Sequence, residues 1–324
     1  MNLRVFVSKV LRRSGLNVLV NHAYDLYRFQ RSRNSRSDVR RMDKEAAAMH
    51  LLRLTHSLEK GMALPSPTPG FGKAKANNIR NQAAWYKDTH GDDEVYRLCM
   101  ATLASHRAFQ PNGGTGTSAG AGEDQLDPSA QALAGYLDVT REEFLSRANF
   151  DFRSFALDRS SVRNFTGEAI SESDLIDSIH IARKSPSVCN RASARAYFSN
   201  DRTVIDRALA RQSGNRGFGD LAGALFIVTS DMRAFYKSGE RNQGWVDGGL
   251  FAMSLNYALH SKGYGVCMLN WSMDALDDHA LRSEFGIPAE HAVVMMMVAG
   301  HVPDSFRVTV SPHRSTDEFA IRLN

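Results

Sequence analysis

The second half of the chain alternates short apolar runs with longer segments of helical spacing. From Ser171 the apolar positions Leu175, Ile176, Ile179 and Ala182 recur every three or four residues, which predicts a helix ending at Arg183 and Lys184. Ser171 is its N-cap, with Asp174 three residues on, and Ile170 and Leu175 flank the cap as a hydrophobic staple. Pro186 blocks any continuation, so Ser185 to Arg191 is a loop of small polar residues. Beyond it, 195–198, 225–229, 266–269 and 292–298 read as short apolar strands, the last with three methionines as core filler. Helices are predicted between them, from Asp201 to Ala210, from Gln243 to His260 and from Asp274 to Phe285. The polar, glycine-containing stretch from Gln212 to Gly219 is a loop. Helices alternating with isolated short strands suggest an α+β sandwich, and no Gly-x-Gly-x-x-Gly follows a strand to support a dinucleotide fold.

The first half is mainly helical. Asp43 to Gly61 carries an apolar face of Ala46, Ala47, Leu51, Leu54 and Leu58, and helices follow at 75–89 and 92–109. Between the first two, 64–72 holds three prolines in five residues and reads as a stiff connector. Residues 111–131 have linker composition, and 129–145 looks helical again. The division expected is a helical extension over 1–130 and a second domain over 150–324.

Composition changes this picture little. At 324 residues, with 43% hydrophobic, 9% aromatic and 23% charged residues, the chain has the make-up of a globular enzyme. A net charge of +5 is too mild for a dedicated nucleic-acid binder. Residues 1–41 hold ten of the 40 Lys and Arg, including Arg28, Arg31 and Arg33, against only Asp25 and Asp38, interleaved with apolar residues such as Leu19, Leu26 and Tyr27. The preferred reading is a helix packed on its own body with a solvated basic face; contact with an anionic membrane comes second and nucleic acid last. No run approaches a membrane span, and the broken apolar stretch of 1–20 argues against a signal peptide. The three cysteines, Cys99, Cys189 and Cys267, have neither metal spacing nor a disulfide framework, which points to a reducing, cytoplasmic setting. Cys189 is a small loop residue in preference to a catalytic thiol, and His56 with Glu59 a hydrogen-bonded pair in preference to a metal site. No metal site is expected.

The candidate chemistry centres on Arg159-Ser160-Ser161-Val162-Arg163-Asn164-Phe165. Two guanidiniums and two hydroxyls within five residues suit a phosphate. This segment, the acid-capped helix after it and the Ser185-Pro186-Ser187-Val188-Cys189-Asn190 loop stand in an order and spacing that resemble the FMN-dependent nitroreductase family, from about Asp158 onward. The resemblance implies a central mixed or antiparallel sheet surrounded by helices, a homodimer with FMN at the interface, and ping-pong reduction of a small acceptor by NAD(P)H. It places Arg159, Ser160 and Ser161 on the flavin phosphate, and Arg163 near the ribityl chain or pyrimidine edge, where a cation stabilises the reduced ring. Pro186, Ser187 and Asn190 would lie against the ring across the interface, with Asn215 at the ring and Leu269 and Asn270 presenting backbone donors. Arg314 would be a second phosphate arginine, and Trp271 either caps the ring or fills the core. The chain departs from the family at Ala192-Ser193-Ala194-Arg195, where Gln-Pro-Trp is usual.

The proline-rich run and the Leu58-Glu59-Lys60-Gly61 before it resemble an extension of nitroreductase-like proteins from bacterial surface-polysaccharide gene clusters. Two other readings stay open at this stage: a flavin-binding redox partner with little turnover, and a membrane-associated accessory protein of polysaccharide assembly.

Overall fold

The computed structural model describes residues 16–33, 38–62, 70–109, 134–135, 151–306, 308 and 316–323. Expectations for 1–15, the proline run at 65–69, the 111–131 linker, the 129–145 helix and Arg314 lie outside these residues or largely so.

The protein is α+β. Four strands, β1 (Ala194–Ser199), β2 (Ala224–Asp231), β3 (Gly265–Asn270) and β4 (His291–Gly300), form one antiparallel sheet in the order β1-β2-β4-β3. Each predicted strand is present, lengthened by two or three residues in total. Alternation along the strands feeds two cores. Leu225, Ile227, Cys267, Leu269, Met296 and Val298 face one side, while Phe226, Val228, Val266, Met297 and Ala299 face the other. A bulge where Val228 and Thr229 pair with Met295 and Val293 accommodates the extra residue Val294.

On one face pack α7 (Arg202–Leu209) and α9 (Ala275–Glu284), through Ile205, Leu209 and Leu281. On the other pack α6 (Glu172–Ala182) and the long α8 (Gln243–Ser261), through Leu175, Phe251 and Leu255. Gly248 lets α8 sit close, since a Cβ there would lie 2.6 Å from Val294. The predicted caps are in place: Ser171 accepts the Asp174 amide at 3.2 Å, and Asp201 accepts that of Val204 at 3.0 Å. Ser171→Ala should cost about 1 kcal/mol, read as a lower denaturation midpoint with unchanged slope.

The first half builds a separate helical layer. It comprises α1 (Leu16–Ser32), α2 (Lys44–Met62), α3 (Lys73–His90) and α4 (Glu94–Phe109), with α5 (Phe152–Asp158) leading into the sheet region and α10 (Thr316–Phe319) near the C-terminus. Helices α2, α3 and α4 share their own core, with Leu51, Leu58, Ile79, Tyr86 and Leu103 buried. A smaller cluster of Phe29 and Met49 with Met232, Phe235 and Ala292 joins this layer to the sheet.

Helix α1 packs on the body as expected, seating Phe29 and leaving Arg31 exposed, but it also buries one cation. Arg28 is 8% exposed, and Asn21 bonds both Asp274 and the Ala275 amide at the start of α9. The side turned to solvent carries Leu19 and Leu26, 66% and 57% exposed. The sequence reading had assumed that charge faces water. Here Asp278 and the Ala289 and His291 carbonyls offer Arg28 a complete set of acceptors, which outweighs burial of the apolar side. His56 and Glu59 approach to 3.8 Å, too far for the expected hydrogen bond; Glu59 instead accepts from the Thr102 hydroxyl and the Gly135 amide. Among the described residues no metal-binding group of His, Cys, Asp or Glu occurs, and no helix is long and apolar enough to cross a membrane.

Candidate functional site

The basic, hydroxyl-bearing segment runs in parallel beside β3, the edge strand. Ser161 bridges Val266, and the Val162 amide donates to the Val266 carbonyl at 2.9 Å. Val162 and Phe165 anchor it in the core, which leaves Arg159, Ser160 and Ser161 half-buried at the start of β3. Arg159 and Ser160 line a cavity of about 340 Å³ closed by Tyr264, Asn256 and Phe306. Asn256 is 2% exposed, and its Oδ1 has no partner among the described residues. Arg163 lies exposed against Cys267, one residue beyond the bridge; burial pushes the Cys267 thiol up against the pull of this guanidinium. Both arginines therefore stand beside the first turn of β3.

At the far end of β3, Leu269 is buried in the core, and Asn270 is exposed and bonded to the Ser272 hydroxyl. The Asn270 carbonyl accepts from Gln212 at 3.0 Å. Asn215 joins this cluster but spends its amide donors on the Leu209 and Gln212 carbonyls, 2.8 and 2.6 Å away. It holds the 212–219 loop against the end of α7. Trp271 donates to Asp278 and packs, half-buried, on the core.

The Ser/Asn loop is elsewhere. Pro186, Ser187 and Asn190 line a second cavity of about 280 Å³. Its other wall comes from the helical layer, Leu52 on α2 with Glu94, Val95 and Leu98 on α4. The loop is strained: Cys189, Asn190 and Ala192 have φ of 49°, 51° and 48°, a region that costs free energy for residues bearing a Cβ. Buried Asp247 holds that shape. Its carboxylate accepts the Val188 amide at 3.3 Å, the Ser193 hydroxyl and the Gln243 amide. Arg191, 2% exposed, locks the far side by pairing with Glu240 at 2.8 Å and bonding the Ala234 carbonyl. Sequence reasoning missed both residues. An isolated acid in a Gly-rich helix and one arginine among many carry no local signal of burial.

A third group lies where β2 and β4 end. Asp231 is fully buried and accepts both ends of the Arg233 guanidinium, as well as His291 Nε2 at 3.2 Å. Tyr197 and His291 Nδ1 are 2.7 Å apart, so the tautomer protonated at Nε2 lets Tyr197 donate. Burial raises the Asp231 pKa, yet hydrogen bonds from His291 and Arg233 outweigh it and hold the carboxyl well below the usual range.

Residues 198–301, which span most of the sheet, match the nitroreductase family model. That stretch includes Asn215, Leu269 and Asn270, but not the 159–163 segment or the 186–190 loop. No curated protein matches the chain. Among solved structures, the chain is similar to an FMN-dependent nitroreductase of Clostridium difficile R20291, at 15% identity and a TM-score of 0.44, over 53% of this chain and 99% of that one. It is similar to a nitroreductase-like protein of Streptococcus mutans, at 20% identity and 0.46, over 54% and 98%. A nitroreductase family protein of Streptococcus pneumoniae TIGR4 gives 14% and 0.46, over 53% and 100%. Residues 198–301 thus carry the nitroreductase family's pattern.

Proposed function

We propose that this region binds FMN along the outer edge of β3 and works as an NAD(P)H-dependent oxidoreductase. The observation that carries the reading is the parallel bridge of Ser161 to Val266. It sets the Arg159–Ser161 donors at one end of an edge strand whose other end presents Leu269 and Asn270. The donor set fits the cofactor. Arg159, Ser160 and Ser161 suit a phosphate, and the orphan acceptor of Asn256 suits a hydroxyl of the ribityl chain.

The chemistry that FMN supplies when bound is two-electron transfer between NAD(P)H and a small acceptor. Each remaining task falls to the protein. Arg159 and the two serines hold the phosphate, and Arg163 keeps a fixed positive charge beside the strand that favours the reduced, anionic cofactor. Backbone groups at Leu269 and Asn270 orient the ring edge. No side chain acts as a covalent nucleophile, so reductant and acceptor use one open face in turn.

Arg159 and Ser160 line one cavity and Pro186, Ser187 and Asn190 another. We therefore assign the loop to the flavin of a second copy, in a homodimer with two shared sites. The solvent-facing side of α8, with Trp245, Val246 and Leu250 exposed, offers an apolar surface for that copy. Mixing tests this directly. Arg159→Ala and Asn190→Ala chains, each weak in FMN binding alone, should recover one intact site per mixed dimer. Mixed dimers that bind no better than either parent would sink the shared-site arrangement.

Peripheral membrane contact is favoured by one observation, the exposed Leu19, Val20, Leu26 and Tyr27 on α1. The polysaccharide connection rests on the proline run and the Leu58–Gly61 stretch before it.

A further inference from the structure

A cavity of about 650 Å³ belongs to neither half of the flavin reading. It opens between α1 and the edge of the sheet region, and its walls hold five arginines: Arg28, Arg31, Arg33, Arg233 and Arg282. Their charge balance is uneven. Arg233 is well supplied, with Asp231 at 2.7 Å and Asp43 and Glu290 at 3.5 and 3.4 Å. Of the other four, Arg28 and Arg282 share one carboxylate, with the Asp25 charge also near Arg28. Asp278 Oδ2 takes Arg28 at 3.3 Å and Arg282 at 2.9 Å.

Among the described residues Arg31 and Arg33 meet only neutral groups. Arg31 donates to the Tyr27 hydroxyl, and Arg33 to Gln30 Oε1 and the Tyr236 carbonyl. Arg282 uses Nε for Asp278 and Nη2 for the Tyr24 hydroxyl, which leaves Nη1 without a partner among the described residues. Arg28 and Arg282 are themselves 8% and 5% exposed. Arg28 has its acceptors complete, so the open donors are those of Arg31, Arg33 and Arg282 Nη1, which one multiply charged anion can bridge. Guanidiniums with free forked donors select phosphate oxygens, and Tyr24 and Tyr27 add hydroxyl and ring surface. The volume is in the range of small-molecule sites and exceeds what a single phosphate fills.

We propose that this cavity is a binding site for a small ligand carrying two linked phosphates, separate from the flavin site. Arg31 and Arg33 clamp its outer phosphate, and Arg282 faces the inner one. The site stands on the cavity alone and does not depend on the flavin reading.

The probe is inorganic pyrophosphate, titrated calorimetrically into the full-length protein with FMN present, so that a phosphate site at Arg159 is already filled or is recognisable in an Arg159→Ala control. One saturable site is expected, weakened by salt and retained in Arg159→Ala. Arg31→Ala with Arg33→Ala should weaken it by about a hundredfold, two lost charge-assisted contacts at roughly tenfold each. Arg40→Ala, outside the cavity, should change nothing. Orthophosphate should bind at least about tenfold more weakly than pyrophosphate. Vesicles bearing a phosphomonoester lipid form a second arm: competition with pyrophosphate assigns the natural source to a lipid headgroup, and its absence to a soluble ligand. The proposal is overturned if no saturable pyrophosphate site exists. Equal affinity in the Arg31/Arg33 double variant, or loss of the site in Arg159→Ala, overturns it as well.

Discussion

Replacing Arg159 by alanine weakens FMN binding by about 10- to 150-fold, the worth of one charge-assisted hydrogen bond to a phosphate at roughly 1.5–3 kcal/mol. Fluorescence quenching of free FMN on titration with protein measures it. The helix caps, both sheet cores and the Ser161–Val266 bridge do not depend on this guanidinium, so the unfolding midpoint should stay put. Arg159→Lys should recover part of the loss, because an ammonium keeps the charge but not the fork. Arg163→Ala is expected to act differently. Arg163 sits further along the segment, against Cys267, so its loss should lower the flavin reduction potential more than the affinity. Equal affinity for FMN in wild type and Arg159→Ala would remove the phosphate assignment.

The largest stability effect is expected at Asp231. Alanine there leaves Arg233 and His291 without the carboxylate that both face at the base of the sheet, a broken buried pair worth about 3–5 kcal/mol. Arg233 retains Asp43 and Glu290, which limits the loss to the lower part of that range. The pH dependence has a definite sign. The folded Asp231 carboxyl titrates below its unfolded value, so below about pH 4 the unfolded chain takes up the proton first. The contribution is whole above that pH and drains away as pH falls toward the folded pKa. Glu240, held low by Arg191 and by the Tyr236 and Lys237 amides despite burial, adds to the same acid limb. Urea unfolding between pH 7 and 3 should show stability falling on acidification, and the fall should be shallower in Asp231→Ala. An unchanged slope would show that the buried carboxylate is not what the acid limb reports.

Helix and strand positions were legible because their causes are local. Ser171 and Asp201 lie within hydrogen-bond reach of the amides they cap, and the period-two alternation of 225–229 already separates the two cores. What the sequence could not show depends on partners far along the chain. Arg28 looked like one more solvated cation, and only Asp278 and the 289–291 carbonyls, some 250 residues away, make its burial favourable. Asn215 matched a ring-contacting position by spacing, while the turn around it claims both of its donors. The left-handed backbone at Cys189, Asn190 and Ala192 has no glycine to announce it, because Asp247 and Arg191 enforce it from other elements. Arg159 and Ser160 were readable as a pair, since both lie on one extended segment. That the 186–190 loop lines a separate cavity beside α4 was not readable, because no local pattern encodes how the helical layer docks.

The central claim is a flavin held at the edge of β3, and it is tested most directly by absorbance during titration of the protein with FMN, followed by NADH or NADPH under nitrogen. The account predicts stoichiometric binding, one FMN per chain, with loss of the yellow absorbance once the nicotinamide is added and its return on adding an electron acceptor. A protein that binds no FMN under these conditions would contradict it.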